Sequence, residues 1–379
     1  MFGDLNTLAT IWCALALVVT RPVPRAAPIP MWRLVEEVRF GDLDDGPASF
    51  GEIRGIAVTK TGTMFVLDFA TRELRLFDAR GQFLRVVARR GRGPGELEFP
   101  TGVVVSDDDQ VIVSDPGQDR FSIYAADGRF LRQLRISIRG FGDFWHGTVD
   151  AAGRIIDFPV RVSVAGIDPR TQYPRTEDRV RRIAQNGIAD TLAFPRCGPP
   201  VPTVVYRARE GYNTSFELPF WLNPQTIVTR RGTVWCSPLG EYRLAVGVLG
   251  APLREVVHMD VPPLPVRADQ RRHAIDAHAA MVKSIGGTLV AGNPTAIPAT
   301  APVIEQIIGD DVGGVWVQRT VPAGAQTALD IFDATGRWIG MIRSSARIGL
   351  VTVISGNTLL TVIPGDDDVP TVVRYRIVR

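Results

Sequence analysis

Three aspartates recur at matching places along the chain and are the clearest candidates for metal chemistry. Asp68, Asp115 and Asp157 each end a short apolar segment, and such carboxylates arranged around a channel would suit a divalent cation. Recurrence in register also fits a structural task, because an aspartate can accept hydrogen bonds from backbone N–H groups of the adjoining loop. We favour the structural task; the one cofactor alternative is a single divalent cation in the channel.

Histidine and aromatic residues supply candidates for a ligand-binding face. No histidine stands in an HxxH or HExxH arrangement, which argues against a catalytic metal held by histidines. His146 follows Trp145 directly, at a position that begins an inner strand near a channel mouth. Aromatic surface on a loop face would suit a sugar or a peptide. The candidate ligand-face residues are Trp145, His146, Trp221 and Asn223.

The sequence gives little support to covalent catalysis, and no catalytic residue is predicted. Ser215 and Ser237 lack a GxSxG elbow, and Cys236 follows Trp235 in an expected strand, which favours burial. The glycine-rich run Arg90–Glu96 has neither the lysine and hydroxyl of a P-loop nor a following helix. This run is interpreted as a tight crossing between structural units.

These residues lie on an internal repeat. Ile53–Phe99 aligns with Pro100–His146 at a constant shift of 47 residues, seen from Gly55 to Gly102, without a gap. Such a period is the signature of a repeat architecture. Further matched pairs are Val58 with Val105, Val66 with Val113, Asp68 with Asp115, Phe77 with Tyr124 and Gly81 with Gly128.

Each unit divides into four short strands separated by turn signals. Glycines in Lys60–Gly62 and Ala79–Gly81 supply the positive φ that tight turns require. Four strands in a unit of roughly 40 to 50 residues match a β-propeller blade. The strands of the first unit are expected at Gly55–Thr59, Met64–Asp68, Leu74–Asp78 and Phe83–Ala88.

The number of blades follows from the weaker copies and from the chain's beginning. Further units contain Val149–Leu192, Val228–Val257 and Val315–Gly336, while the last, Val351–Val378, supplies only three strands. Trp32–Phe40 has the character of an outer strand and would cover the open edge of that last unit. We therefore predict an all-β, six-bladed propeller of four-stranded antiparallel blades, closed by an N-terminal strand that joins the C-terminal blade.

Two insertions interrupt the repeat. Phe158–Asp178 is expected to be a long connection inside the third unit, and Asp260–Glu305 to link the fourth and fifth units. Ala268–Ser284 is the one good helical stretch, and its apolar spacing predicts a helix that packs on the ring. We expect no second domain, so residues 31–379 would form one propeller.

Composition and the N-terminus bear on location. With 43 basic and 40 acidic residues, the chain lacks the basic surplus of a nucleic-acid-binding protein. The apolar run Leu8–Thr20 has the length of a signal-peptide core and is too short to span a membrane. We expect a leader within residues 1–30, no transmembrane span in the mature chain, and a periplasmic or extracellular location; without a signal it would be cytoplasmic. Cys197 and Cys236 would pair after export or stay as thiols.

Two segments carry a resemblance to a known family. GIAVTKTGTMFVLDFATRELRLFDARGQFL (55–84) and RGRGPGELEFPTGVVV (90–105) resemble the NHL-repeat class of β-propellers, in particular exported bacterial six-bladed, TolB-like propeller proteins. The resemblance covers about residues 40–135 and implies the fold alone, because propellers host many chemistries. At Phe69–Glu73 the chain departs from the repeat's usual asparagine-arginine pair, so ligand preferences do not carry over.

Two functional hypotheses remain from the sequence. The leading one is a non-catalytic binding or scaffold protein, monomeric, that presents a loop face to a protein, peptide or saccharide, since loops on a rigid scaffold usually carry recognition. The alternative is a metal-dependent propeller enzyme of lactonase or lyase type. In that case at least three of Asp68, Asp115, Asp157, His146 and Asn223 would converge on the channel axis.

Overall fold

The strands of the protein group into six four-stranded antiparallel blades and one additional sheet. The computed structural model describes residues 28–41, 46–138, 144–167, 174–187, 189–198, 201–221, 224–365 and 368–379. Asn223 and the apolar run at residues 8–20 lie outside the described residues. Among those described, the one α-helix is the predicted one, and the all-β class is confirmed.

The first half of the chain forms three blades in sequence order. Strand β1 (Met31–Phe40) precedes them and belongs to the last blade. Blade 1 contains β2 (Ile53–Val58), β3 (Met64–Asp68), β4 (Glu73–Phe77) and β5 (Phe83–Ala88). Blade 2 contains β6 (Gly102–Val105), β7 (Val111–Asp115), a 3-10 turn (Pro116–Gln118), β8 (Arg120–Tyr124) and β9 (Phe130–Arg135). Blade 3 contains β10 (Thr148–Val149), β11 (Ile155–Ile167), β12 (Pro174–Ile183) and β13 (Ala189–Ala193).

The second half adds an inserted unit and three more blades. The hairpin of β14 (Thr203–Arg207) and β15 (Asn213–Glu217) follows blade 3. Blade 4 contains β16 (Gln225–Val228), β17 (Thr233–Ser237), β18 (Tyr242–Val248) and β19 (Arg254–Met259). Helix α1 (Ala268–Ser284) and β20 (Thr288–Ala291) come next. Blade 5 contains β21 (Ile304–Gly309), β22 (Val315–Arg319), β23 (Thr327–Phe332) and β24 (Trp338–Ser344), and blade 6 contains β25 (Thr352–Ser355), β26 (Thr358–Pro364), β27 (Pro370–Val378) and β1.

Strand β1 closes the ring, as the sequence predicts. It pairs antiparallel with β27, with Phe40 opposite Val372, and makes a short parallel contact with β24 at Met31 and Trp32. Trp32 is buried between blades 5 and 6, where its ring meets Trp316 edge to face at 5.8 Å. A Cβ atom at Gly340 would lie 2.6 Å from the Trp32 ring, so glycine is required there. This strand therefore fastens the first and last parts of the chain together.

The first strand of each blade lines the ring's interior. Strand β2 packs beside β6, β6 beside β10, β16 beside β21, and β25 beside both β21 and β2. We call the end at which second and third strands connect the loop face, represented by Phe69–Arg72 in blade 1. The opposite end, with tight turns such as Thr59–Thr63, is the turn face. Gly62 has φ +84° there, which confirms the glycine-dependent turn.

Helix α1 packs on the inserted sheet and not on the ring, so that part of the prediction is wrong. The hairpin β14–β15 pairs with β20 to make a three-stranded sheet that the repeat does not contain. Val204 and Phe216 of this sheet pack against Ala274 and Val282 of the helix. The apolar face of the helix is therefore covered within the insertion itself.

The segment predicted as a long connection, Phe158–Asp178, is instead largely an extended hairpin. Strands β11 and β12 pair antiparallel well beyond the ordinary blade length, with Arg161 opposite Asp178. The register shifts between Asp157 and Val160, around a proline that cannot donate to the ladder. Pro159 therefore lies at a local irregularity in the strand pairing.

Candidate functional site

Asp68 is fully buried at the loop face and anchors the loops around it. Its carboxylate accepts hydrogen bonds from the backbone N–H of Glu52 at 3.0 Å and of Ala70 at 3.1 Å, and from the Thr71 hydroxyl at 3.0 Å. The Arg75 guanidinium lies 3.6 Å away. These donors surround the carboxylate within blade 1.

Asp115 and Asp157 are engaged in the same way by their own blades. Asp115 accepts a hydrogen bond from the Phe99 backbone N–H at 2.7 Å. Asp157 accepts one from Trp145 Nε1 at 2.9 Å and another from Arg181 Nε at 3.1 Å. Within the described part of the chain, no group of three or more His, Cys, Asp or Glu side chains could hold a metal ion.

Blade 5 contains an ion pair that resembles Asp68–Arg75 of blade 1. Here the arginine stands in the second strand and the aspartate in the third, the reverse of blade 1. Arg319 ends the second strand, and its Nε donates to Asp330 Oδ2 in the third strand at 2.5 Å. The Tyr242 hydroxyl of blade 4 donates to the same oxygen at 2.6 Å. Burial and the nearby Asp330 carboxylate raise the pKa of Tyr242, so its hydroxyl stays a donor. This contact links two neighbouring blades.

On the turn face, opposite charges from four blades meet. Arg230 of blade 4 reaches Asp107 of blade 2 at 3.7 Å, with 19% of its side chain exposed. Burial lowers the pKa of Arg230, and the carboxylates of Asp107, Asp311 and Asp109 oppose that shift. The Lys60 backbone N–H donates to Asp109 at 3.1 Å. Arg230 is thus surrounded by negative charge.

On the loop face, one arginine sits among three phenylalanines. The guanidinium carbon of Arg54 lies 3.3 Å from the ring centroid of Phe69, 5.5 Å from that of Phe99 and 6.0 Å from that of Phe144. Its Nε donates to Glu52 Oε1 at 2.8 Å, and its side chain is 10% exposed. Nη1 is buried and has no hydrogen-bond partner among the described residues. We call Arg54, Phe69, Phe99 and Phe144 the Arg54 cluster.

Three separate loops hold the Arg54 cluster together. Phe69 follows β3, Phe99 lies in the crossing to blade 2, and Phe144 in the crossing to blade 3. The rings of Phe69 and Phe99 meet edge to face at 4.8 Å, and Phe144 is 41% exposed. Aromatic faces attract a guanidinium through their quadrupoles but accept no ordinary hydrogen bond. The cluster therefore positions a cation whose hydrogen-bonding capacity is incompletely used.

Trp145 and His146, predicted as ligand-face residues, point to different surroundings. Trp145 is half-buried, donates to Asp157 and packs 5.4 Å from Phe121, which places it in the core between blades 2 and 3. His146 is exposed on the loop face, two residues after Phe144. Of these two candidates, His146 is the more exposed.

Trp221 belongs to the inserted unit rather than to the channel mouth. Its indole N–H donates to the Ala296 carbonyl at 2.8 Å, and its ring packs against the core of the insertion. Asn223, the fourth predicted ligand-face residue, lies outside the described residues. Trp221 is thus part of a different region from Trp145 and His146.

The glycine-rich run Arg90–Glu96 forms the crossing that the sequence predicts. Arg120 Nη2 donates to the Gly93 carbonyl at 2.8 Å, and the Tyr124 hydroxyl donates to the Gly95 carbonyl at 3.0 Å. Burial raises the pKa of Tyr124 to about 12. The carbonyls of the run thus accept hydrogen bonds from blade 2, which fixes the crossing in place.

Arg54 was not predicted as a site residue, although its position in the repeat distinguishes it. At the shift of 47 residues its counterpart is Thr101, so the charge is not copied in the second unit. Repeated residues serve the blade, whereas a charge that occurs once on an inner strand needs a separate reason. The departure from the usual repeat at Phe69 points to the same place.

Cys197 and Cys236 form a disulfide that joins the segment after blade 3 to β17 of blade 4. Across the ranges that the structure describes, no helix is long and apolar enough to cross a membrane.

Six four-stranded blades closed by a terminal strand make this protein a six-bladed β-propeller. Residues 47–142 match the model of a family described as a 6-bladed beta-propeller. The matched stretch contains blades 1 and 2, in which the repeat is most regular. The family match and the observed ring agree on the fold.

Relatives and solved structures resemble parts or all of the chain. Protein brain tumor of Drosophila melanogaster is 27% identical over 139 residues, which are 35% of this chain and 13% of that protein. This chain therefore spans only a small part of that relative's length. A candidate exported protein of Bacteroides fragilis is 10% identical, with 92% of this chain and 96% of that chain covered and a TM-score of 0.49. A member of the duf4221 family from Bacteroides vulgatus is 13% identical, with 92% and 99% covered and the same TM-score of 0.49.

Proposed function

We propose that this propeller is a non-catalytic binding protein whose loop face recognises a protein segment. The segment would carry a carboxylate beside an apolar side chain, and the Arg54 cluster would receive both. The observation that supports this proposal is the buried Nη1 of Arg54, which has no hydrogen-bond partner among the described residues. A single propeller ring supplies the whole cluster, so a monomer suffices.

A carboxylate is the group that best completes Arg54. A buried donor without a partner costs about 1–3 kcal/mol, and more when it is charged. Glu52 occupies Nε at 2.8 Å, and Nη1 has no partner among the described residues, so the guanidinium still has donors to offer an incoming acceptor. A guanidinium presents several donors in a rigid fork that matches the geometry of a carboxylate. The incoming group would therefore satisfy a donor that the fold leaves over.

The surroundings of Arg54 favour a polypeptide over a saccharide. The rings of Phe69, Phe99 and Phe144 have no hydrogen-bonding groups, and Phe144 is 41% exposed. A neutral sugar could lay its C–H face on these rings, but it has no carboxylate to offer Arg54. A peptide can place an apolar side chain on the rings and a carboxylate on Arg54.

The alternative of a catalytic cation in the channel lacks a comparable observation. The carboxylates of Asp68, Asp115 and Asp157 accept hydrogen bonds from their own blades. On the turn face, the acidic residues Asp107 and Asp109 already face basic side chains or backbone donors. We therefore propose the binding function alone.

We also propose that the protein acts outside the cytoplasm. The Cys197–Cys236 disulfide supports this location, because disulfides persist in oxidising compartments and are rare in the cytosol. The test is to fractionate cells that express the full chain and to follow the intact protein. Recovery in the cytosolic fraction with both thiols free would contradict the proposal.

The binding function is tested with a displayed library of random twelve-residue peptides. Arg54→Met keeps the length of an apolar stem and removes the charge, and Arg337→Met, on the turn face and 79% exposed, is the matched control. We expect the native protein and the control to enrich peptides that combine an acidic residue with an apolar neighbour, and Arg54→Met to lose this enrichment. Equal enrichment by Arg54→Met would overturn the proposal.

A further inference from the structure

A pocket of about 420 Å³ lies at the seam where the ring is closed. Its walls come from β1, from the last residue of β24 and the chain after it, from the end of β26, and from Tyr375 within β27. Pockets that bind small molecules commonly enclose roughly 300–1,000 Å³. The size of the seam pocket therefore suits a small ligand.

The pocket follows from the way β1 closes the ring. β1 contacts β24 in parallel only at Met31 and Trp32, and from Arg33 onward it follows β27 alone. Beyond that contact, the chain from Ser344 to Arg347 and β1 line opposite parts of the same pocket. Closure by a strand from the other end of the chain thus leaves a wedge between the blades.

Two arginines and a tyrosine give the pocket its charge and its donors. Arg39 Nε and Nη2 donate to the two carboxylate oxygens of Glu36, each at 2.8 Å, and Arg347 Nη1 donates to the Pro364 carbonyl at 3.0 Å. Tyr375 lines the same pocket. Burial and the Glu36 carboxylate raise the pKa of Tyr375, so its hydroxyl keeps its proton at neutral pH. Positive charge, one carboxylate acceptor and a phenolic donor are thus brought together.

Hydroxyl and apolar groups complete the lining. Ser344 and Ser345 lie on one wall, and Leu34 and Ile363 supply apolar surface nearby. A pyranose ring has hydroxyls around its rim and C–H groups on its faces, so it needs both kinds of contact. A carboxylate on that ring would in addition meet the guanidinium groups.

We propose that the seam pocket binds a hexuronic acid, a pyranose that carries a carboxylate. Arg347 takes the carboxylate, with the Arg39–Glu36 pair beside it, while Tyr375 and the serines bind the hydroxyls. This site is separate from the Arg54 cluster and does not depend on it. A ligand bound here contacts β1 as well as the chain of blades 5 and 6, so it also strengthens ring closure.

The probes are sodium glucuronate and galacturonate, titrated into the full chain by calorimetry, with glucose and sodium acetate as comparison ligands. We expect at least one uronate to bind at least tenfold more tightly than either comparison ligand and to raise the melting temperature. Glucose or acetate binding as tightly as both uronates, or no uronate binding, would overturn the proposal.

Variants locate the binding site. The double change Arg39→Met and Arg347→Met should weaken uronate binding at least tenfold, and Tyr375→Phe should weaken it several-fold. Arg33→Met, which changes an exposed arginine on β1 outside the pocket, should leave binding unchanged. Native uronate affinity in both the double variant and Tyr375→Phe would exclude the seam pocket. Arg54→Met should bind uronate normally, so a failure here is distinguishable from a failure of the loop-face proposal.

Discussion

Two arginines at opposite ends of the ring show how different surroundings give one residue type different tasks. Arg230 on the turn face is 19% exposed, and Arg54 on the loop face is 10% exposed. Carboxylates from other blades surround Arg230. Arg54 instead has three phenylalanines, one carboxylate and one buried Nη1 without a partner among the described residues.

The difference in partners between Arg230 and Arg54 matters because both charges are largely buried. A charge that leaves water loses hydration, and it is tolerated when opposite charges and hydrogen bonds replace that water. The fold supplies such replacements to Arg230, which therefore joins blades. Among the described residues it supplies them incompletely to Arg54, so that guanidinium can still donate to an external acceptor. The comparison separates a structural charge from a recognising one.

A buried charge with a full set of partners should contribute most to the free energy of unfolding. Asp68→Ala removes a buried acceptor that serves several donors and one of the two carboxylates that pair with Arg75. We expect a loss of about 3 kcal/mol in the free energy of unfolding, the scale for breaking a buried pair. Urea unfolding measures it, with Asp190→Ala, at an exposed surface pair, as the control. A loss no larger than that of the control would contradict this account.

Arg230→Met should give the next largest effect. It leaves the carboxylates of Asp107, Asp109 and Asp311 facing one another without a central cation. Because Arg230 retains some exposure, we expect a loss of about 1–2 kcal/mol, below the full value for a buried pair. Salt screens repulsion between like charges, so the deficit should shrink in about 1 M salt. A salt-independent deficit in urea unfolding would show that charge is not its cause.

Arg54→Met, the same chemical change on the other face, should barely alter stability. It removes cation–π contacts worth about 2 kcal/mol when desolvated, and it also removes an unsatisfied donor that costs about 1–3 kcal/mol. These contributions oppose each other, so the unfolding midpoint in urea should stay close to that of the native protein. A loss as large as that of Arg230→Met would mean that Arg54 is a structural charge as well.

The smallest predicted effect concerns acid and lies in the inserted unit. His278 is buried, its Nε2 lies 3.0 Å from the Tyr206 hydroxyl, and burial lowers its pKa. The unfolded chain therefore takes up this proton first, so the stability contribution present above about pH 6.5 declines as the pH falls. Urea midpoints at pH 7 and pH 5 should differ less in His278→Gln than in the native protein. The exposed His258→Gln control should keep the native pH dependence, and an equal change in both variants would count against the interpretation.

The fold was largely predictable because the same four-strand pattern recurs along the sequence. The repeat that starts at Gly55 and Gly102 gives the blades, and the unpaired last unit requires a closing strand such as Trp32–Phe40. The inserted sheet was missed because Thr203–Arg207 has no counterpart in the repeat. The pairing of β20 with β14 joins segments that the whole of blade 4 separates.

The candidate site was harder to predict for a related reason. Asp68 and Asp115 were visible because they recur, and their recurrence reflects anchoring of the loops. Arg54 and Phe144 meet only because successive blades bring their loops to one face. The spacing of residues in the sequence does not predict such a contact between loops. An unrepeated charge on an inner strand, however, indicates a candidate site residue.

We propose above all that the Arg54 guanidinium, whose Nη1 has no hydrogen-bond partner among the described residues, binds a carboxylate. Calorimetry can measure the affinity of one selected peptide, and of its variant with asparagine in place of aspartate, for the native protein and for Arg54→Met. Since charged hydrogen bonds contribute about 1.5–3 kcal/mol, the native protein should prefer the acidic peptide about tenfold or more. Arg54→Met should bind the two peptides equally, and an undiminished preference in that variant would contradict the claim.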